Sequence, residues 1–369
     1  MTSLCETVRL GDVCTFDKVQ GIHRKLPYVG LEHIEAHTAK FIGSLEPQPV
    51  KSSTFRFSRD HVLYGRLRPY LNKVIAPNFD GHCSTEIFPL KPSSRLSRQF
   101  LLYWLLAEST TERINETCTG ARMPRADMNE VLEFEFLLPS RSEQQRIVGI
   151  LDQAFDGIAK ARANAEKNLQ NARALFESHL QSVFTQHCDG WEERPLEEIC
   201  ENLDSKRVPI TKKHRTSGEY PYYGASGIVD YVGNFIFDGD LLLVSEDGAN
   251  LLARTYPIAF SISGRTWVNN HAHVLRFECM DLQRIAEYYL NSIRLDDYVS
   301  GMAQPKLNQK ALNSIPMPIP PPAARAKIVA QLDGFREEAK RLESLYQRKH
   351  AALDELKKSL LHRAFSGQL

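Results

Sequence analysis

The chain has 369 residues, room for two domains of ordinary size, and 42% hydrophobic with 25% charged residues is the balance of a soluble globular protein. A formal net charge of only +1 announces no polyanionic partner, so any nucleic-acid contact must come from local basic patches. No apolar run approaches the roughly 20 residues of a membrane helix, and residues 1–12 lack the basic-then-apolar pattern of a secretion signal. Seven scattered cysteines (Cys5, Cys14, Cys83, Cys118, Cys188, Cys200, Cys279), with no Cys-x-x-Cys, argue against a disulfide framework or a zinc ribbon. A cytoplasmic protein with no membrane partner is expected.

In chain order, residues 1–140 read as a globular part. Short β-like runs such as Thr54-Phe-Arg-Phe-Ser58 and Val62-Leu-Tyr64 alternate with turn signals, and a helix is expected near residues 99–116. Residues 141–186 read as one long helix. Proline is absent from 142 to 184, and apolar residues step at Ile147, Leu151, Ala154, Ile158, Ala161, Ala165 and Ala172. Ser142-Glu143, just after Pro139, marks its start. Residues 187–321 read as a second globular part, with runs Phe235-Ile-Phe237 and Leu241-Leu-Leu-Val244 and a helix near 282–299. Residues 322–369 form a second long helix after Pro320-Pro-Pro322. It steps at Ile328, Leu332, Phe335, Ala339, Leu342, Tyr346, Leu353, Leu356 and Leu360. Each helix is about 40 residues, or roughly 60 Å at about 1.5 Å per residue. A stripe with a period near 3.5 residues calls for one partner helix.

The two halves repeat. Gly120-Ala-Arg-Met-Pro124 is followed by Arg146-Ile-Val-Gly-Ile-Leu-Asp152; Gly301-Met-Ala-Gln-Pro305 is followed by Lys327-Ile-Val-Ala-Gln-Leu-Asp333, about 181 residues later. Leu175 and Leu356, and Phe184 and Phe365, share the offset. A repeat this long is a whole domain plus a helix. It predicts approximate two-fold symmetry within one chain, an antiparallel helix pair and neighbouring termini, an arrangement suited to a ligand with two halves such as duplex DNA. The stripes place Asn168 and Lys349, again about 181 apart, near the helix midpoints, where a polar pair in the seam would fix register.

No catalytic motif is present. There is no strand-to-helix Gly-x-Gly-x-x-Gly turn and no Gly-x-x-x-x-Gly-Lys-[Ser/Thr] phosphate loop, so neither dinucleotide chemistry nor an ATP-driven motor is expected. His271-Ala-His273 supplies two imidazoles on one strand face, but no spaced cysteine or carboxylate completes a metal site. Glu355-Leu-Lys357 resembles the tail of a nuclease motif without its upstream Pro-Asp partner.

Several segments resemble a known family. Glu143-Gln-Gln-Arg-Ile-Val-Gly-Ile-Leu-Asp-Gln-Ala-Phe155, Asn164-Ala-Glu-Lys-Asn-Leu-Gln-Asn-Ala-Arg-Ala-Leu-Phe-Glu-Ser178 and the ending Leu356-Lys-Lys-Ser-Leu-Leu-His-Arg-Ala-Phe-Ser-Gly-Gln-Leu369 are similar to type I restriction–modification specificity subunits. Tyr64-Gly-Arg-Leu-Arg-Pro-Tyr-Leu-Asn-Lys73, Tyr222-Tyr-Gly-Ala-Ser-Gly-Ile-Val-Asp-Tyr231, Ser245-Glu-Asp-Gly-Ala-Asn250 and Trp267-Val-Asn-Asn-His-Ala-His-Val274 are similar to that family's target recognition domains. One departure is Ala323-Ala-Arg-Ala-Lys327, where the first copy has Ser142-Glu-Gln-Gln-Arg146. The resemblance implies an α/β (α+β) fold: two globular target recognition domains related by internal pseudo-two-fold symmetry, separated by two long antiparallel coiled-coil helices. It implies a subunit without a catalytic centre, since the Asn-Pro-Pro-Tyr or Asp-Pro-Pro-Tyr tetrapeptide of an amino-methyltransferase is absent. Each domain would read one half of a split, asymmetric target in double-stranded DNA, and the helices would set the gap. The implied partners are two methyltransferase subunits and motor–nuclease subunits. S-adenosylmethionine, ATP and Mg would be bound by those partners, with no cofactor or metal here.

Residue type then nominates the DNA-reading positions, because arginine suits guanine and phosphate while asparagine suits adenine. In the first domain they are Arg66, Arg68, Asn72, Lys73, Arg122 and Arg125. In the second they are Lys206, Arg207, Lys212, Lys213, Tyr223, Asn250, Arg265, Asn269, Asn270 and Lys306. Arg122-Met-Pro-Arg125 and Ala303-Gln-Pro-Lys306 stand out because both copies keep a base just after a loop proline. Two alternatives share the repeat and helices: the recognition subunit of a system whose methyltransferase and nuclease are fused, and a coiled-coil adaptor whose domains bind proteins rather than DNA.

Overall fold

The computed structural model describes residues 6–120, 122–185, 190–301 and 304–369. Cys5, Cys188 and Ala303 therefore lie outside the described residues. The chain divides into two compact units, residues 1–166 with 347–369 and residues 167–346. Each unit thus combines one globular part with a stretch of both long helices.

The two globular parts are built on the same sheet. In the first unit, strands Cys14–Phe16, Ile87–Pro92, Val62–Gly65 and Val74–Ile75 lie side by side in that order, all antiparallel. In the second, Cys200–Asn202, Ala272–Phe277, Leu241–Ser245 and Ala259–Ile262 repeat the order and the directions. Val62–Gly65 and Leu241–Ser245 are buried along their whole length, as their unbroken apolar runs require of a strand covered on both faces. A two-stranded ribbon closes each part: Glu6–Arg9 on Glu135–Leu138, and Glu192–Pro195 on Pro316–Ile319. Phe235-Ile-Phe237 forms no strand; Phe237 makes only a single bridge to Thr266.

The second sheet differs between the copies. The first unit joins Gln20–Gly21, Thr54–Phe57, Gly81–Cys83 and Tyr28–Val29, whereas the second joins Gly227–Val232, Ser217–Gly224 and Trp267–Val268. The helix expected near 99–116 is two, Arg98–Leu106 and Glu108–Glu116, because Ala107 adopts an extended conformation (ψ 137°) between them. Its counterpart, Met280–Ser292, stops short of 299, with Ile293 extended. Phe100 to Leu106 fill the first core, together with Ile147 and Leu151 of the first long helix and Leu361 and Ala364 of the second. Val8 belongs to this cluster and Leu369 packs against it, so the first and last described segments share one core.

The long helices run Arg141–Thr185 and Pro322–Phe365. Ser140 opens the first, its Oγ accepting the Glu143 N–H at 3.3 Å. Proline starts the second, where its missing N–H is no loss. Within the first unit the helices are antiparallel: Arg162 pairs with Asp354 at 2.6 Å, and Arg146 donates to the Leu369 carbonyl. Within the second, Arg173 pairs with Glu343 at 2.6 Å. Gln144 is fully buried and donates to the Pro139 carbonyl; Arg325 does the same to Pro320, so the differing helix starts serve one anchoring role. Tyr103 donates to Asp152, and Tyr288 to Asp333 at 2.5 Å, tying each globular part to its helix.

The seam corrects one expectation. Asn168 and Lys349 are both exposed. A helix of 3.6 residues per turn takes the buried stripe from Ala165 to Leu169, four residues on, and past Lys349 to His350. His350 stands 3.6 Å from Glu166, so the polar seam position in the first unit is an imidazole. Leu356, assigned to the stripe, is also exposed.

Candidate nucleic-acid interface

In both units a tight loop is pinned to the shared sheet. Thr119 and Arg125 exchange N–H···O bonds at 3.1 Å, as do Ser300 and Lys306 at 2.9 and 2.8 Å. Gly120 (φ 92°) and Gly301 (φ 85°) turn the chain in the left-handed region. A Cβ at Gly301 would stand 2.7 Å from the Gln304 carbonyl, so no other residue fits there without a shift. The loop then docks sideways. Arg68 N–H donates to the Pro124 carbonyl and Ala126 N–H to Arg66; in the second unit Gly248 donates to Pro305 and Leu307 to Glu246. These bonds make Arg66 and Glu246 equivalent backbone positions.

One carboxylate organises the cations in each unit. Glu86 accepts from Arg66 Nε at 2.9 Å and from Arg125 Nε at 3.0 Å. Glu246 accepts from Arg207 at 2.6 Å and pairs with Lys306 at 3.1 Å. Burial alone would raise both carboxyls. The hydrogen bonds from Arg125 and Arg66, and from Arg207 and Lys306, outweigh it and hold both below the ordinary carboxylate value. Asp204 behaves likewise: burial pushes it up, but hydrogen bonding to His273, the His273 charge and the Val274 N–H bring it down. A carboxyl depressed in the folded state contributes stability that is full above its unfolded value and lost as pH falls through the folded one. The urea midpoint should therefore fall steeply between about pH 5 and about pH 2, and Glu246→Gln should flatten that fall; a midpoint level across the range would contradict the pairing.

In the first unit Arg66, Arg68, Arg122 and Arg125 converge on this loop. Arg68 and Arg122 are exposed, and Arg66 and Arg125 keep about a third of their side chains exposed (35% and 37%). In the second unit Lys306 is exposed beside Glu246, and Asp247 bridges to Lys306 while bonding His271 at 2.8 Å. Asn270, next to His271, is exposed, and the Asn269 N–H donates to the half-buried Tyr223. Lys206, Lys212, Lys213 and Arg265 are exposed on other segments. Lys206 lies 3.9 Å from Glu201, and Arg265 pairs with Asp238 at 3.3 Å over the Phe235 ring.

Five nominated residues are engaged inside the fold. Asn72 is 2% exposed and left-handed (φ 40°), and its Nδ2 donates to Leu105 O and Thr111 Oγ1. It caps the carbonyl end of helix Arg98–Leu106. Arg254 does the same in the second unit (φ 52°), donating to Leu290 and Ile293. Lys73 Nζ donates to the Leu31 carbonyl at 2.6 Å. Asn250 is buried, its Oδ1 accepting from Thr255 and Tyr256. Asn269 is buried and its Oδ1 accepts the His271 N–H. Arg207 is largely buried between Asp204, Glu246 and the Ala272 carbonyl. Each of these side chains bonds groups inside the protein, and only the Asn72 Oδ1 among the atoms named lies buried without a partner.

His271 and His273 part company. His271 is an exposed partner of Asp247, whereas His273 is 1% exposed, hydrogen-bonded through Nδ1 to Asp204 at 2.5 Å and donating from Nε2 to Leu307 O at 2.8 Å. Among the described residues no group of three or more His, Cys, Asp or Glu side chains is gathered to hold a metal. Nor is any described helix long and apolar enough to cross a membrane. Sequence reasoning missed the two organising carboxylates, because Glu86 and Glu246 occupy different places in the two copies and share no repeat pattern. It also missed the exposed Tyr70 and Met123, which flank the arginines of the first loop, and Tyr231 and Tyr256 in the second unit.

Comparison with known proteins agrees with the duplicated frame. A curated protein of Haemophilus influenzae, described as a type I restriction enzyme specificity subunit, is 34% identical over 167 residues, 45% of this chain and 41% of that protein. The EcoDI type I specificity subunit of Escherichia coli is 28% identical over 187 residues, 47% of this chain and 40% of its own length. The chain thus spans less than half the length of the curated relatives it matches. Among solved structures, a chain from a study of complex assembly and conformational transition in a type I restriction–modification system superposes with a TM-score of 0.82 at 20% identity, over 100% of this chain and 99% of that one. A specificity subunit from Thermoanaerobacter tengcongensis gives 0.64 at 20% identity, over 99% and 97%. At that identity the likeness establishes the fold. The family model of the type I restriction modification DNA specificity domain matches residues 3–167 and again 188–347, so this chain belongs to that family and carries two copies of its domain.

Proposed function

We propose that the chain is the non-catalytic DNA specificity subunit of a cytoplasmic type I restriction–modification complex. Each globular part reads one half of a split, asymmetric sequence in double-stranded DNA. The long helices set the unread gap and dock two methyltransferase subunits, and motor–nuclease subunits join them for restriction. S-adenosylmethionine, ATP and Mg belong to those partners. The observation that carries the reading is the contrast inside each repeat. The four-stranded sheet and the pinned loop are duplicated, whereas the second sheet and its loops differ. A shared frame with divergent loops is what two readers of different half-sites require. Methylome sequencing of a host given this chain with its methyltransferase tests it: a bipartite, asymmetric adenine-methylated motif is expected, and a continuous or palindromic motif would overturn it.

A further inference from the structure

Resting on the reading that the pinned loops meet DNA phosphates, we propose that Glu86 and Glu246 are electrostatic restraints on non-specific binding. Each holds the post-proline cation of its own unit, Arg125 or Lys306, in an ion pair that must open before that cation can engage a phosphate.

The argument begins with the mismatch between the copies. The cation, the loop proline, the left-handed glycine and the docking bonds occupy equivalent places. The carboxylate does not: Glu86 lies just before strand Ile87–Pro92, whereas Glu246 follows strand Leu241–Ser245 at the position equivalent to Arg66. Two differently placed residues bring a carboxylate to the same cation. A loop anchor alone would not need this, since backbone hydrogen bonds already hold both loops. The charges also matter. In the first unit one carboxylate is shared by two partly exposed arginines, leaving the group at about half its full positive charge. Random DNA offers phosphates but no matching base edges, and phosphate attraction supplies nearly all of its affinity. Opening the pair therefore weakens random binding, while a cognate half-site offsets the opening through base contacts.

The test uses the full chain and a fluorescent random-sequence duplex of about 40 base pairs, titrated at roughly 50 to 300 mM KCl. Glu86→Gln is expected to tighten binding about fivefold and to steepen the slope of log K against log salt by about 1, the increment of one further phosphate. Glu246→Gln should act in the same direction but less, because only Lys306 is released while Arg207 stays with Asp204 and the Ala272 carbonyl. Adding Arg125→Ala to Glu86→Gln should return the slope to the wild-type value. Unchanged or weaker binding by folded Glu86→Gln, with an unchanged slope, overturns the proposal. If that variant does not fold, Glu246→Gln decides alone on the same criterion. A wild-type chain that binds no duplex anywhere in the range overturns the DNA reading itself, a distinct outcome from wild-type binding that the substitutions leave untouched.

Discussion

His273→Ala is expected to destabilise the second unit by about 3 kcal/mol, the penalty for breaking a buried hydrogen-bond network around a carboxylate. The imidazole is the centre of a buried network. It joins Asp204 on one side to the Leu307 carbonyl on the other, next to Lys306. Its loss leaves the Leu307 carbonyl without this donor and strips Asp204 of one of its partners, with Arg207 and the Val274 N–H remaining. His273→Phe should fare no better. The first copy has Phe88 at this register, opposite Tyr64 as His273 is opposite Val244, but no buried carboxylate comparable to Asp204 faces it among its described contacts. Urea unfolding of the full chain measures the loss, and a change below about 1 kcal/mol would contradict the network's importance.

The second large effect separates two kinds of DNA contact. Arg125→Ala should weaken binding to the cognate duplex and reduce its salt slope by about 1, because the Glu86 pair opens there, and leave scrambled duplexes close to the wild-type value. Asn270→Ala should instead leave the salt slope unchanged, cost about 1–3 kcal/mol on the cognate site and relax preference at one base. The structure supports treating them differently. Arg125 is held by Glu86 in a pinned loop, whereas Asn270 projects exposed from the turn before strand Ala272–Phe277. Anisotropy titrations on cognate and scrambled duplexes measure both, and equal losses on the two duplexes for Asn270→Ala would rule out base reading there.

Much of the frame was legible because its signals are periodic. The apolar stripes located both long helices to within a few residues, and the offset of about 181 residues announced the duplicated domain. The seam passes Asn168 by because a strict 4-3 step, 3.5 residues on average, drifts against a helix of 3.6 residues per turn, and Leu169 lies one residue further on. The site was legible in part. The loop bases are marked by a pattern kept in both copies, and each stands beside a carboxylate. Asparagines were the weak point. Asn72, Asn250 and Asn269 carry the chemistry of adenine readers, but that same amide satisfies backbone groups inside the fold, and residue type cannot tell the two uses apart. Glu86 and Glu246 were invisible for the opposite reason, since nothing local marks a carboxylate as the partner of a cation 39 or 60 residues away.

The two compact units also differ in how the chain assembles them. Residues 167–346 are one uninterrupted segment, whereas the other unit needs residues 347–369 to complete what residues 1–166 begin. Leu361 and Ala364 fill the same core as Leu10 and Phe100. During synthesis the second unit can therefore close as soon as it leaves the ribosome. The other unit is complete only once residues 347–369 have followed, so residues 1–166 are expected to finish folding after the segment made behind them.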